Sequence, residues 1–204
     1  MNASIFFSSI ALLFSVYSVW ETSLKRSALT VFVAPVIRYA SPYQNSSFEA
    51  FAIPITITNS GARAGTVMAL ALEVTDPANS ASKRFFGADL GQWSIEKARK
   101  GDFQPFAPMA LPGRSSHTDT IIFHPRSEET VQQIVQAPGR FQFTLTLDVA
   151  LSEDFGFIDR FWHKAPSALR FEMVLPELDH RAFTSGSGTV ALHQQDWQSS
   201  LQRD

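Results

Sequence analysis

The stretch Pro138 to Leu151 reads PGRFQFTLTLDVAL, and its reading sets the class of the fold. Phe141, Phe143, Leu145, Leu147, Val149 and Leu151 occupy alternate positions, with Arg140, Gln142, Thr144, Thr146 and Asp148 between them. A period of two over so long a run is the pattern of a strand with one face in a core and the other in water. Pro138-Gly139 supplies the turn that precedes it.

The same pattern recurs on both sides. Downstream, Leu169, Phe171, Met173 and Leu175 share one face of the stretch 168–175. Upstream, Phe51, Ile53, Ile55 and Ile57 alternate with Ala52, Pro54, Thr56 and Thr58, and Asn59-Ser60-Gly61 closes that strand. Met68, Leu70, Leu72 and Val74 mark a further strand over 66–74, and the short connection from Asn59 predicts that these two strands are neighbours. HTDTIIFH, His117 to His124, is another. Leu29 to Tyr39 is β-rich, but Pro35 has no amide hydrogen for a ladder and predicts an edge strand or a break. Residues 83–102 read as mixed, with a short helix over 94–100. Ser127 followed by Glu128 and Glu129 predicts a second short helix to about Val135. Beyond Pro176 the signal fades, and TSGSG, Thr184 to Gly188, is linker-like. No helix is long enough for a βαβ crossover and nothing repeats. The expected class is therefore mainly β, an antiparallel β-sandwich with short helical insertions.

The N-terminus differs from the rest. Ala3 to Trp20, ASIFFSSIALLFSVYSVW, carries no charge. As a helix it would cover roughly 27 Å, about the hydrocarbon thickness of a bilayer. Tyr17 and Trp20 stand at the end where amphipathic rings favour the interface. A cleaved signal peptide would want a basic start and a small-x-small cleavage site. This chain starts Met-Asn-Ala-Ser and reaches Tyr17-Ser-Val-Trp20, so the reading is an uncleaved transmembrane helix and a single-pass membrane protein. Lys25 and Arg26 follow the span, which favours a cytoplasmic C-terminal domain, with a periplasmic one as the alternative. Ser4, Ser8, Ala11, Ser15 and Ser18 form one narrow stripe on the helix. Small residues let helices approach closely in lipid, so the stripe is a candidate for helix packing with a protein partner or a second copy. The bland alternative is that each serine bonds the carbonyl one turn back.

Three parts follow: an anchor with its basic flank, residues 1–26; a β-sandwich, 27–176, with an insertion around 83–109; and a flexible tail, 177–204. The 204 residues are 45% hydrophobic and include 18 phenylalanines, enough for a large aromatic core. A net charge of −2 provides no global field for nucleic acid, and the absence of cysteine removes disulfides and thiolate chemistry.

The residues of catalysis are present without their arrangement. Ser115, Ser116, His117 and Asp119 include the types of a hydrolase triad, but they adjoin within one strand, whereas triad members converge from separate elements. The histidines lack metal-ligand spacing, and there is no phosphate loop, nucleophile elbow or dinucleotide fingerprint. No metal, no cofactor and no catalytic residue is expected. The most aromatic loop is SEDFGFIDRFWHKAP, Ser152 to Pro166. Phe155, Phe157, Arg160, Phe161 and Trp162 there are candidates for contact with a partner, because loops that join sandwich strands often bind. The alternative is a satellite core with Phe85, Phe86 and Trp93.

A strand ending in Asn-x-Gly (Asn59 to Gly61), then Leu-Pro-Gly before a strand (Leu111 to Gly113), then Pro-Gly-x-aromatic (Pro138 to Phe141) gives an order that resembles bacterial immunoglobulin-like modules of the cell-adhesion-related type. It is also similar to uncharacterised bacterial single-span membrane proteins that carry such a domain. The resemblance spans Leu29 to Leu175. It implies an immunoglobulin-like sandwich that binds other molecules, and hands over no catalytic residue. The function expected is a membrane-anchored, non-enzymatic interaction module, an accessory or scaffold subunit of a membrane complex. A periplasmic sensor for a ligand or envelope polymer is the alternative, and a cryptic hydrolase a remote one.

Overall fold

The computed structural model describes residues 3–40, 49–91, 103–125, 133–150, 168–182 and 189–194. It opens with helix α1, Ala3–Val19, which runs on through a π-helical turn, Trp20–Leu24. Lys25 N donates to Trp20 O at 2.8 Å, five residues back, and the Thr22 hydroxyl donates to Ser18 O at 2.7 Å. Back-bonding of this kind competes for the carbonyls that an α-helical turn would use.

Among the described residues eleven strands follow: β1 Leu29–Val33, β2 Val36–Ala40, β3 Ala50–Asn59, β4 Gly65–Asp76, β5 Ala81–Leu90, β6 Gln104–Pro105, β7 Met109–Leu111, β8 Ser115–Pro125, β9 Gly139–Val149, β10 Leu169–Leu175 and β11 Thr189–His193. A short helix α2, Glu177–Ala182, stands between the last two. Every pairing is antiparallel. The order β5-β8-β3-β2-β11-β10-β9-β4 returns to β5, because β4 and β5 also pair. The sheet is thus a closed eight-stranded barrel and not the immunoglobulin-like sandwich that the alternation suggested. Strand β1 pairs with β3 on the same edge as β2, and the short strands β6 and β7 pair with β5 and β4.

The reason for the correction is local. Alternation is the same in both architectures; only the partners of the outermost strands differ. Two strands join what would otherwise be free sheet edges. Strand β5 pairs with β4 through Ala81 to Phe86 and with β8 through Phe85 to Leu90. It lies in the stretch read as an insertion. Strand β11 lies beyond the boundary drawn at 176, pairs with β2 over its whole length and meets β10 at Val174.

The barrel is filled. Phe51, Ile53, Ile55 and Ile57 of β3 are buried, as are Phe141, Phe143, Leu145 and Leu147 of β9. Phe51 packs in an aromatic cluster, its ring 4.8 Å from Tyr39, 5.0 Å from Phe85 and 5.4 Å from Phe143, the last two edge-on. Eight strands enclose a bore that side chains can fill. In β4 the register shifts between Val67 and Ala69. Met68, which strict alternation puts on the apolar face, points outward, while Val67, Leu70, Leu72 and Val74 point in. The chain breaks between β1 and β2 at Ala34-Pro35, yet β2 has a neighbour on each side. Ala34 N donates to Pro54 O at 3.1 Å. A residue's nitrogen and carbonyl face the same strand edge, so the hydrogen that Pro54 lacks would have faced this break.

Strands β3 and β4 are not neighbours, against the expectation from their short connection; β8 and β5 stand between them in the ring. Among the described residues two segments therefore cross barrel ends. Residues 60–64 cross the end nearest α1, and residues 133–138 cross the far end on their way into β9.

Candidate functional site

Each crossing is pinned by a buried polar side chain. At the end nearest α1 this is Asn59, the last residue of β3. Its Oδ1 accepts from Ala28 N at 3.1 Å and Gly61 N at 3.0 Å, and its Nδ2 faces the carbonyls of Arg63, Leu111 and Pro112 at 2.8, 3.2 and 3.1 Å. One amide thus ties together the segment after the helix, the β3–β4 crossing and the turn into β8. Backbone bonds add to the knot: Ala62 N and Arg63 N both donate to Lys25 O, and Arg114 N donates to Gly61 O at 2.9 Å. The Arg114 guanidinium reaches the carbonyl oxygen of Glu21 at 2.6 Å. Arg114 has a φ of 56°, the left-handed region unusual for a side chain with a Cβ, at the turn into β8.

At the far end the pin is Glu49, just before β3. Its carboxylate accepts from the Tyr39 hydroxyl at 2.7 Å, from Lys83 Nζ and from Ile134 N at 3.3 Å. Glu49 and Lys83 are both buried, and Lys83 lies 5.9 Å from the centre of the Phe85 ring. Burial raises the Tyr39 phenol far above its ordinary range, and the neighbouring Glu49 charge and hydrogen bond push it the same way. With donors from three elements on one carboxylate, the cluster can hold the ends of β2, β3 and β5 to the crossing chain.

Three further features surround these pins. His124 Nε2 is 3.0 Å from Asp89 Oδ2 across the β5–β8 pair. Burial lowers the His124 pKa from its ordinary value, and Asp89 opposes that shift. His180 of α2 donates to Gln136 O at 2.9 Å. A cleft of about 400 Å³ opens at the far rim between Asp76, Pro77 and Ala78 on one side and Ala137 to Phe141 on the other.

The residues singled out in the sequence fall as follows. Ser115, Ser116, His117 and Asp119 all lie on β8. Ser115 donates its hydroxyl to Pro112 O at 2.7 Å, and His117 and Asp119 are 3.8 Å apart on the surface. Ser8, Ala11, Ser15 and Ser18 are exposed on α1. Ser15 donates to Ala11 O and Ser9 to Ile5 O, each at 2.9 Å and one turn back. Phe155, Phe157, Arg160, Phe161 and Trp162, and the short helices expected over 94–100 and from Ser127, lie outside the described residues apart from the end of the second. There, Gln133 to Val135 are not helical. Phe85 belongs to the barrel interior. Among the described residues no group of His, Asp or Glu is placed to hold a metal. The pins Asn59, Glu49 and Lys83 escaped the sequence reading. Asn59 read as a turn residue, and the only signal for Lys83 was a charge at an inward position beside Phe85.

No protein-family model and no curated protein matches the chain. Among solved structures it is similar to a Bordetella pertussis protein assigned the name ApaA, with 14% identity, covering 84% of this chain and 97% of that one at a TM-score of 0.33. It is also similar to a β-glucosidase involved in saponin metabolism from intestinal bacteria, with 19% identity, covering 74% of this chain and 16% of that one, again at a TM-score of 0.33. Overlaps this low carry no argument about fold or activity.

Ile5–Leu24 is long and apolar enough to cross a membrane, and none of it is buried against the barrel. Phe7, Leu12, Leu13 and Phe14 are all exposed, as a lipid-facing helix requires. A secretory signal would meet the same criteria of length and composition.

Proposed function

We propose that the chain is a single-pass, membrane-anchored interaction module that holds a partner at the membrane, as an accessory or scaffold subunit. The observation that carries this reading is the knot at Asn59. The segment that leaves the helix is hydrogen-bonded into the base of the barrel, so whatever the barrel binds is held close to the bilayer and not on a loose tether. In this reading the barrel binds and does not catalyse. The helix adds contact through Ser4, Ser8, Ala11, Ser15 and Ser18, with a partner span or a second copy. Lys25 and Arg26 support a cytoplasmic barrel. A second reading, a periplasmic ligand sensor, draws support from the cleft at the far rim.

Purification of the full chain in mild detergent tests the first reading. A stable partner or self-assembly is expected, and Ser8→Leu/Ser15→Leu should keep membrane insertion while weakening association. A chain that runs alone as a monomer, or association untouched by the double substitution, counts against the module or against the helix contact respectively. Protease accessibility in spheroplasts and inverted vesicles separates the two locations.

A further inference from the structure

Lys25 is the pivot between the span and the barrel. With φ −56° and ψ 123° it leaves the helical conformation, and the chain turns there towards β1. A short linker without tertiary bonds would swivel at such a point. Here the pivot is held from both sides. Its amide donates to Trp20 O at 2.8 Å, inside the helix, and its carbonyl accepts from Ala62 N at 2.9 Å and Arg63 N at 3.0 Å, on the barrel. The three residues after it are held as well. The Arg26 carbonyl packs on Gly61, where a Cβ would stand 1.7 Å from it, and the Ser27 side chain packs on Gly65, 2.9 Å from where a Cβ would stand. Ala28 N donates to Asn59 Oδ1 at 3.1 Å, and Ala28 O accepts from Ser60 N at 3.0 Å.

One side chain reaches past the pivot. Arg114 stands at the turn between β7 and β8, and its amide donates to Gly61 O at 2.9 Å. A Cβ on the preceding Gly113 would meet Ala62 O at 1.9 Å, so this turn is seated directly on the β3–β4 crossing. From that seat the guanidinium donates to Glu21 O at 2.6 Å and lies 3.8 Å from the Glu21 carboxylate. A cation on the last carbonyls of a helix is favourable. Glu21 lies within the π-helical turn, before the pivot, so the contact closes a bracket around Lys25. We propose that the span and the barrel turn as one body, with Arg114 as the clasp, so that repacking of the span re-aims the barrel and engagement of the barrel turns the span. Coupling of this kind is reciprocal. The proposal rests on the anchor reading above and adds to it a means of passing a signal through the junction.

The chain has no cysteine, so paired spin labels can be placed on it without interference. Leu13→Cys on the helix, Ser116→Cys on β8 and Thr146→Cys on β9 are exposed positions for them. With the full chain in lipid nanodiscs, double electron–electron resonance reads the distances from Leu13→Cys to each barrel label. The pair Ser116→Cys/Thr146→Cys, within the barrel, is the reference. Both helix-to-barrel distributions should be as narrow as the reference. Arg114→Gln should widen them about twofold, as the linker regains its freedom, and leave the reference unchanged. Distributions much broader than the reference in the chain with Arg114 intact show a swivelling linker and overturn the coupling. Narrow distributions that survive Arg114→Gln overturn the clasp. Should that variant not fold, Arg114→Lys, which keeps the charge and loses the planar fork, takes its place. A chain that does not enter the nanodisc overturns the anchor reading and the proposal with it, whereas broad distances in a chain that does enter overturn the coupling alone.

Discussion

Lys83 and Glu49 show what a single buried pair demands. Each is nearly excluded from solvent, and neither charge has water to turn to if its partner is lost. Breaking such a pair typically costs about 3–5 kcal/mol, whereas replacing both partners can be close to neutral. Lys83→Met alone should therefore lower the urea midpoint of the barrel strongly, and Lys83→Met/Glu49→Gln should recover much of the loss. If the double variant is no better than the single one, the ion pair is not what stabilises that end. His124 makes a second prediction. Its pKa is lowered in the folded protein, so below its ordinary value near 6.5 the unfolded chain takes up a proton that the folded chain resists. Stability should fall as pH drops through this region, and His124→Gln should flatten that fall. An unchanged acid profile in the variant would place the sensitivity elsewhere.

At the level of elements, the β3–β4 crossing depends on one side chain and one glycine. Asn59→Ala strands several buried backbone groups and should cost about 3 kcal/mol. Asn59→Asp should do no better, because its second oxygen would face the carbonyls of Arg63, Leu111 and Pro112. Thermal unfolding of the full chain in detergent reads both, and a neutral Asp substitution would refute the bonding pattern. A Cβ on Gly61 would sit 1.7 Å from the Arg26 carbonyl oxygen, so Gly61→Ala must push the post-helix segment off the barrel. At Gly139 a Cβ meets nothing within 4 Å, and Gly139→Ala serves as the control. We expect a clear loss of melting temperature in the first and little change in the second. Most strands were legible in the sequence because their burial alternates with period two. Met68 was misplaced because a bulge adds one residue to the count, and nothing in the residue types announces it.

For the whole molecule, closure is the decisive property. Leu192, in the stretch read as tail, is fully buried on β11. If β11 completes the barrel, Leu192→Ala should cost about 3 kcal/mol, as core truncations do, measured as a shift of the denaturant midpoint. A change of a few tenths would mean that the C-terminal strand is dispensable.

By itself the sequence determined the mainly-β class, the inward faces of β3, β9 and β10, and a helix apolar enough for a bilayer. These depend on local periodicity and composition, which the chain carries residue by residue. The tertiary structure alone decided between barrel and sandwich, because that choice lies in which strands share an edge. Strand β11 is five residues long and β5 is interrupted by a register shift at Gly87, so neither announced itself. It alone also brought Asn59, Glu49 and Lys83 to their posts and Arg63 and Arg114 to the helix exit. Those meetings join residues distant along the chain, and no local pattern encodes them.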